Sequence, residues 1–186
     1  MSTIPAAIDT LPTPNPNALM FKVGEGLVEK GTFEFPDRAS ARHSPLPRLL
    51  FGLDGVEQVL VTTQYVTVNK SEHYGWPDLV PAIKGLLREH LASGDIAVAP
   101  KEETAKAHDS ELAQQISDLI ESQVRPALAM DGGDIEFIRL TPENVVEVRL
   151  IGACSTCPSS TATLAMGIET LLIEEFPDVI GVEHVL

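Results

Sequence analysis

The sequence of 186 residues predicts an α+β protein built from two small mixed domains. Both halves contain short runs that alternate like strands, and longer runs in which apolar residues recur every three or four positions, as on a helix face. The segment 99–108 between them is polar and charged, as expected of a linker or of the solvated start of the next helix. Charge also divides unevenly, with a net of −3 over residues 1–98 and −11 over residues 99–186.

The first half begins with a Pro-rich arm. Prolines at positions 5, 12, 14 and 16 restrict the backbone and remove hydrogen-bond donors, so we expect no regular structure there. Within this arm, the run from Thr13 to Asn17 is expected to be a rigid, extended lead-in to the first strand. Two short strands, 18–23 and 31–35, are predicted next, joined by the turn Gly24-Glu25-Gly26.

A short helix, a strand pair and a long helix complete the first half. Ser44 suits the N-cap of a helix and Pro45 its first position. Strands are expected at 56–61 and 65–69, and Trp76 is expected to anchor the helix that follows them. That helix should stop at Gly94. Its apolar residues recur at helical spacing: Leu79, Ile83, Leu86, Leu87 and Leu91.

The second half predicts the element order α-β-β-α-β. Ser110 can cap a first helix, which Pro126 should bend or restart. The segment Asp131–Asp134, with its two glycines, should end that helix and turn the chain. Strands are expected at 135–140 and 145–151, a helix from about Pro158 to Phe176, and a strand at 179–185. An antiparallel pair joined by a crossover to the third strand gives a three-stranded mixed sheet.

Net charge excludes some classes of partner. With 13 basic and 27 acidic side chains the chain carries −14, which disfavours binding to nucleic acid and to anionic membranes. No apolar run approaches the roughly 18 residues of a spanning helix. The first residues have neither a secretory signal pattern nor the arginines of a transit peptide, so we expect a cytoplasmic protein.

The two cysteines of the chain, Cys154 and Cys157, are the candidate functional residues. A single Cys-x-x-Cys pair cannot form a disulfide framework, so in a cytosolic protein it indicates metal or redox chemistry. The pair lies between a predicted strand and a helix predicted to begin at Pro158. The free N–H groups and dipole of that helix favour the thiolate, which is the form that binds metal and attacks disulfides.

Four interpretations of the pair compete. Inert buried thiols are one, and a thioredoxin-like dithiol is another, although the 29 residues after Cys157 are too few for the rest of that fold. Structural zinc and an iron–sulfur cluster each require about four ligands. The five histidines show no ligand spacing relative to the pair, so either centre would need two chains related by a two-fold axis. The residue types alone leave zinc and cluster open.

Several motifs connect the chain to a known family. In the second half they are Arg125-Pro126, Asp131-Gly132-Gly133-Asp134, the run 148–160 around the cysteines, Thr163-Leu164, Gly167-Ile168-Glu169 and the run 176–179. Through these, residues 109–186 closely resemble the C-terminal domain of NifU, also found in Nfu-type iron–sulfur scaffold and carrier proteins. Residues 13–98 resemble the N-terminal domain of Nfu proteins. The matches there are Thr13–Asn17, Ser44-Pro45-Leu46, Leu50-Phe51, Gly55-Val56, Val66–Lys70 and Trp76.

The resemblance implies an N-terminal Nfu-type domain at 13–98, a linker at 99–108 and a NifU-like domain at 109–186. It also implies a [4Fe–4S] cluster held across a homodimer by Cys154 and Cys157 of each copy. An upstream scaffold would supply the cluster, and apo iron–sulfur client proteins would receive it. The other cysteine-containing domains of NifU have no counterpart here, because no further cysteine exists, and this favours a late carrier over a primary assembly scaffold.

We expect a carrier rather than an enzyme, since the sequence contains no Ser-His-Asp arrangement, phosphate-binding loop or dinucleotide fingerprint. Two alternatives use the same cysteine pair. One is a thiol–disulfide oxidoreductase, and the other is a zinc-binding dimer.

Overall fold

The computed structural model describes residues 7–24, 26–99, 110–155 and 158–185, with the backbone alone for 158–161. The chain divides into two compact units, Met1–Lys101 and Glu102–Leu186. Of the predicted linker at 99–108, only residue 99 lies among the described residues. Within the described ranges, no helix has both the length and the apolar character needed to cross a membrane. Both units mix helices with a sheet, so the predicted α+β class is confirmed.

The first unit contains a five-stranded antiparallel sheet and two helices. Its strands are β1 (Asp9–Pro12), β2 (Ala18–Lys22), β3 (Phe33–Phe35), β4 (Val56–Val61) and β5 (Tyr65–Lys70), in the spatial order β1-β2-β5-β4-β3. The helices are α1 (Pro45–Leu50) and α2 (Trp76–Ser93). Apolar side chains from the sheet and both helices form one core, in which Phe21, Leu46, Leu50, Ile83 and Leu87 are fully buried.

The long helix matches its prediction. Trp76 begins α2, packs against the core and donates an Nε1 hydrogen bond of 3.1 Å to the carbonyl of Pro16. Gly94 ends the helix with a φ of 70°, in the left-handed region that glycine adopts without steric cost. Trp76 therefore anchors this helix, as predicted.

The prediction of an irregular Pro-rich arm is wrong for its second part. Residues Asp9–Pro12 form β1, which pairs with β2 at the edge of the sheet. Pro12 is tolerated there because an edge strand does not need every backbone donor. Residues 1–6, including Pro5, lie outside the described residues.

The motif Thr13–Asn17 is a closed turn rather than an extended lead-in. The Thr13 hydroxyl donates toward the carbonyls of Asn15 and Ala18, and the side-chain oxygen of the buried Asn15 accepts from the Asn17 amide. Lys70, on β5, reaches the same turn with an Nζ to Asn17 Oδ1 distance of 3.1 Å. The bond from Lys70 therefore ties the β1–β2 connection to a strand more than fifty positions later in the chain.

Two further expectations for the first unit need correction. The strand expected at 31–35 is shortened to β3, and it pairs with β4 instead of forming a hairpin with β2. Glu25, in the predicted turn, lies outside the described residues. Ser44 occupies the N-cap of α1, but its hydroxyl accepts a 3.2 Å hydrogen bond from the Ala99 amide and makes no capping bond.

The second unit follows the predicted order. Helix α3 (Glu111–Leu119) is capped by Ser110, whose Oγ accepts from the Ala113 amide at 3.1 Å, and is continued by helix α4 (Arg125–Met130). Strands β6 (Gly133–Leu140) and β7 (Val145–Gly152) pair antiparallel, and β8 (Gly181–His184) joins β7 in parallel after helix α5 (Pro158–Glu175). The predicted three-stranded mixed sheet is confirmed.

The interruption of the first helix is a π-helical segment, Ile120–Val124, between α3 and α4. The Arg125 amide donates to the carbonyl of Ile120, five residues back, which widens the helix by one residue. Pro126, in the first turn of α4, has no amide hydrogen and clashes with a regular i−4 carbonyl. The predicted restart at this proline is therefore confirmed, and the π segment accommodates it.

His90 makes the stability of the first unit dependent on pH. It lies in the last turn of α2, it is buried, and its Nε2 has no hydrogen-bond partner within the described part of the chain. Burial lowers the pKa of this imidazole below its ordinary 6.5, and the opposing charge of Asp95 offsets the effect only in part. Below pH 6.5 the unfolded chain therefore binds a proton that the folded chain resists.

We expect the free energy of unfolding of the first unit to decrease as the pH falls from 7.5 to 5.5, and His90→Gln to reduce that decrease. Urea unfolding followed by the fluorescence of Trp76, the single tryptophan, reports on this unit alone. His43→Gln, at an exposed position, is the control and should keep the wild-type pH dependence. An unchanged pH dependence in His90→Gln would contradict the expectation.

Candidate metal centre

The first of the two candidate ligands, Cys154, lies between the end of β7 and the start of α5. Cys154 comes two residues after Gly152, the last residue of β7, and is 3% exposed. Cys157 and the preceding Thr156 lie outside the described residues. The structure thus places one of the two predicted ligands, and the position of the other stays a prediction. Within the described ranges, no three His, Cys, Asp or Glu side chains converge as they would around a metal ion.

The Cys154 side chain packs directly on the backbone of Gly133, the first residue of β6. A Cβ at position 133 would collide with Cys154 Sγ, and would lie 3.0 Å from both Cys154 Cβ and the carbonyl oxygen of Ile151. Residue 133 must therefore be glycine for the thiol to occupy this position. Gly133 is also the register partner of Gly152, so the cysteine segment leaves the sheet opposite the first residue of β6.

Backbone turns on both sides of this contact hold the cysteine segment in place. Gly132 and Gly152 have φ values of 74° and 71°, which favour glycine at both positions. The Ala153 amide donates to the carbonyl of Gly132 at 3.3 Å, and the Ser155 amide and hydroxyl both donate to the carbonyl of Gly152 at 3.2 and 2.9 Å. Two turns remote in sequence are therefore tied together next to Cys154.

An ion pair fixes the start of β6. Asp134, buried with 2% exposure, accepts a 2.8 Å hydrogen bond from Arg125 Nε and a 2.7 Å bond from the Ile135 amide. Arg125 also donates to the carbonyl of Ile135 at 3.0 Å and to the Glu121 carboxylate at 2.6 Å. This arginine clamps α4 to β6, and β6 presents Gly133 to the thiol.

Sequence reasoning correctly assigned the segment Asp131–Asp134 to a helix stop and turn. It missed that the Cys154 side chain packs on the backbone of Gly133, and that the ion pair between Arg125 and Asp134 fixes the strand segment that contains Gly133. Both residues of that ion pair lie in motifs of the sequence, Arg125-Pro126 and Asp131–Asp134. Nothing in the spacing of nine residues between Arg125 and Asp134 indicated that they form an ion pair.

Two other ion pairs cross the hairpin of β6 and β7. Arg139 and Glu147 face each other in register and form two hydrogen bonds of 2.7 Å, and Arg149 pairs with Glu136 at 2.6 Å. Hydrogen bonding with Arg139 lowers the pKa of Glu147, and the same bond raises the pKa of Arg139. All three arginines at described positions of the second unit therefore pair with carboxylates.

A thiol at this position can act as a ligand once it is deprotonated. It lies in the short connection between a strand end and the first turn of an 18-residue helix, whose unpaired N–H groups stabilise nearby anions. Thiolates bind iron, zinc and copper(I) in preference to hard cations such as Mg²⁺. The local chemistry is therefore that of a soft-metal ligand.

We expect Gly133→Ala to lower the free energy of unfolding of the second unit by about 1–3 kcal/mol, because the added methyl group displaces the Cys154 side chain. Far-UV circular dichroism during urea unfolding measures the loss, and Trp76 fluorescence should show the first unit unchanged. Gly167→Ala in α5 is the control: a Cβ there meets no atom within 4 Å, and the helix should gain up to about 1 kcal/mol. Equal effects of the two substitutions would contradict the proposed contact.

Arg125→Gln should lower the free energy of unfolding of the second unit by about 1–3 kcal/mol, because it leaves the Asp134 carboxylate buried without its cation. Arg139→Gln removes a cation from an exposed pair on the same hairpin, where Arg139 is 65% exposed, and should have a much smaller effect. The comparison uses the same urea experiment. A loss in Arg139→Gln as large as that in Arg125→Gln would argue against the clamp.

Both units match models of known protein families. Residues 8–94 match the N-terminal domain of the scaffold protein Nfu/NifU, and residues 116–183 match the NifU-like domain. The mitochondrial NifU-like protein 4 of Arabidopsis thaliana is 40% identical over 184 residues, which is 95% of this chain and 65% of that protein. The human mitochondrial NFU1 iron-sulfur cluster scaffold homolog is 37% identical over 96% of this chain and 72% of that protein.

The chain thus spans about two thirds of the length of these relatives. Among solved structures, a NifU-like protein from Saccharomyces cerevisiae is 30% identical and covers 54% of this chain and 92% of its own, with a TM-score of 0.47. That score is too low to support a conclusion about the fold.

The expectation of a cytoplasmic location is wrong. The relatives from Arabidopsis thaliana and Homo sapiens are named as mitochondrial proteins, which contradicts that expectation. Composition and core packing contain no targeting signal, so the properties of the folded units could not have indicated the cellular compartment. The match to both domain models, together with 37–40% identity over nearly the whole chain, shows that this protein belongs to the NifU-like family.

Proposed function

We propose that this protein carries an iron–sulfur cluster and passes it to apo-proteins. One observation carries the proposal. A relative named as an iron–sulfur cluster scaffold matches 96% of this chain, and the chain's two cysteines form one Cys-x-x-Cys pair at the strand–helix connection of the second unit. Thiolates are the usual protein ligands of such clusters. The cluster is the cargo of this activity, so the role is that of a carrier rather than an enzyme.

The proposed cargo is a [4Fe–4S] cluster bound once per homodimer. A cluster of this kind is commonly held by four thiolates, and each chain supplies two, Cys154 and Cys157. Two copies related by a two-fold axis bring the same surface together and complete the set of four. A site divided between copies opens when they separate, which suits cargo that must be released.

Burial of Cys154 has a consequence for loading. A ligand shared with a second copy must present its sulfur at the surface, whereas this residue is 3% exposed and packed on Gly133. Loading is therefore proposed to turn the Cys154 side chain away from Gly133. Until then the packing shields the thiol from oxidants, which react with accessible thiolates.

The first unit is proposed to recognise client proteins or control access to the cluster. It contains no cysteine. The polar groups of its motif Thr13–Asn17 form hydrogen bonds within the unit, so client contacts are expected elsewhere on this unit. An upstream scaffold would deliver the cluster to the cysteine pair of the second unit.

We expect Cys154→Ser and Cys157→Ser each to abolish cluster binding, because each removes two of the four thiolates from a dimer. The measurement is iron and sulfide content, with visible absorption, after anaerobic reconstitution without glutathione, which could itself supply ligands. Ser155→Ala is the control in the same turn: it removes the hydroxyl bond to Gly152 and should keep the cluster.

Wild-type protein should hold one cluster for every two chains and sediment as a dimer when loaded. One cluster per chain, a loaded monomer, or normal iron and sulfide in either cysteine variant would contradict the proposal. Colourless protein with one zinc per dimer would favour the zinc-binding alternative. Colourless protein that reduces disulfides would favour the oxidoreductase.

A further inference from the structure

Helix α5 has an outer face that carries no charge from residue 162 to residue 173, in a unit that is otherwise strongly acidic. Six positions along this face are exposed and uncharged: Ala162, Thr163, Met166, Gly167, Thr170 and Ile173. Met166 is 68% exposed and Ile173 is 40% exposed, whereas Ile168 and Leu172, on the opposite side, are buried in the core. At 100° per residue the six positions fall within one arc of about 140°, so they form a single continuous face, the α5 outer face.

The charge of the second unit makes this face unusual. Residues 99–186 carry 5 basic and 16 acidic side chains. Glu169 is the one acidic residue of α5 between positions 162 and 173. It lies at the edge of the outer face, about 20° from Ala162 at 100° per residue, and its carboxylate accepts a 3.4 Å hydrogen bond from the Val182 amide on β8. Two copies of so acidic a unit repel each other through most of their surface. An uncharged apolar face is a place where they can approach without that cost.

We infer that the α5 outer face is the contact between two copies of this chain in the cluster-loaded form; this inference rests on the proposed function. Helix α5 begins at Pro158, the residue after Cys157, so the face starts at the cluster site. A cluster shared by two copies requires both helix N-termini to meet at one end. In the inferred dimer the two α5 helices run side by side in parallel from that end, with Met166 opposite the partner's Met166.

Small residues on the face suit a close helix pair. Ala162, Gly167 and Thr170 lie among the larger Met166 and Ile173, and a Cβ added at Gly167 would meet no atom of the same chain within 4 Å. Small side chains let helix axes approach closely, while the exposed methionine and isoleucine supply apolar area. An acidic or basic client would be expected to meet charge on its docking surface, and this face offers none until Glu174.

The size of the face explains why the cluster is needed. The stretch from residue 162 to residue 173 is about 18 Å long, and a strip roughly 10 Å wide buries on the order of 400 Å² over two copies. Stable protein interfaces bury about 1,200 Å² or more. The face alone is too small to hold the dimer, and parallel helix dipoles together with the two Glu174 side chains oppose it. The anionic thiolate-bound cluster at the paired N-termini reverses the dipole effect.

Met166→Glu and Met166→Lys test the contact. In either variant the new charge faces an identical charge on the second copy across the two-fold axis, and the two charges repel each other. After anaerobic loading, we expect both variants to raise the dimer dissociation constant by about tenfold, in sedimentation at low salt. Ile180→Glu and Ile180→Lys are the matched controls: Ile180 is 67% exposed, close to the 68% of Met166, and lies outside α5. Unloaded variants should have wild-type urea midpoints, since the side chain is exposed.

Each outcome distinguishes this inference from the proposed function. Weaker dimers for both signs at position 166, with wild-type behaviour at position 180, support the contact. If the wild type loads and dimerises but Met166 variants match it, the contact is overturned and the carrier function stands. If Glu and Lys at 166 leave the dimer intact but change client transfer in opposite directions, the face belongs to a charged client. If the wild type takes up no cluster, the proposed function fails and the contact fails with it.

Discussion

The contact between Cys154 and Gly133 is the constraint on which the candidate site depends. A side chain at position 133 would occupy the space of the thiol, so this one position links the conformation of the cysteine segment to the start of β6. Gly132 and Gly152 supply the left-handed backbone that lets the two turns meet. Arg125 then holds the neighbouring Asp134 in a buried ion pair. The chemistry of one cysteine is thus prepared by residues 20–30 positions earlier in the chain.

Structural features that depend on a few consecutive residues, such as helix caps and helix stops, could be predicted from the sequence. Ser110 as a cap, Gly94 as a helix stop and the restart at Pro126 were all correct, because each depends on the backbone needs of its own helix. The parallel addition of β8 was also predicted, because a strand–helix–strand unit has few alternatives. The position of Cys154 between β7 and α5 followed from the same local signals.

Pairings between distant residues could not be predicted in this way. The turn Thr13–Asn17 is closed by Lys70 and Trp76, whose side chains arrive from β5 and α2. Strand β3 contains three residues and takes its place only because β4 offers an unpaired edge. Arg125 and Asp134 likewise had no local pattern to mark them as partners. In each case the deciding energy is a contact that exists only after the chain has folded.

Weak association between copies suits a carrier better than a strong interface does. If four thiolates hold the cargo, release requires two copies to separate, and a large apolar interface would make that step slow. In the proposed dimer, acidic surfaces that repel and a contact face limited to one helix would keep the two copies apart unless the cluster joins them. After transfer of the cluster, the same repulsion would favour separation, and Cys154 would return to its shielded position on Gly133. In this proposed cycle, the excess of acidic residues in the second unit would contribute to turnover as well as to solvation.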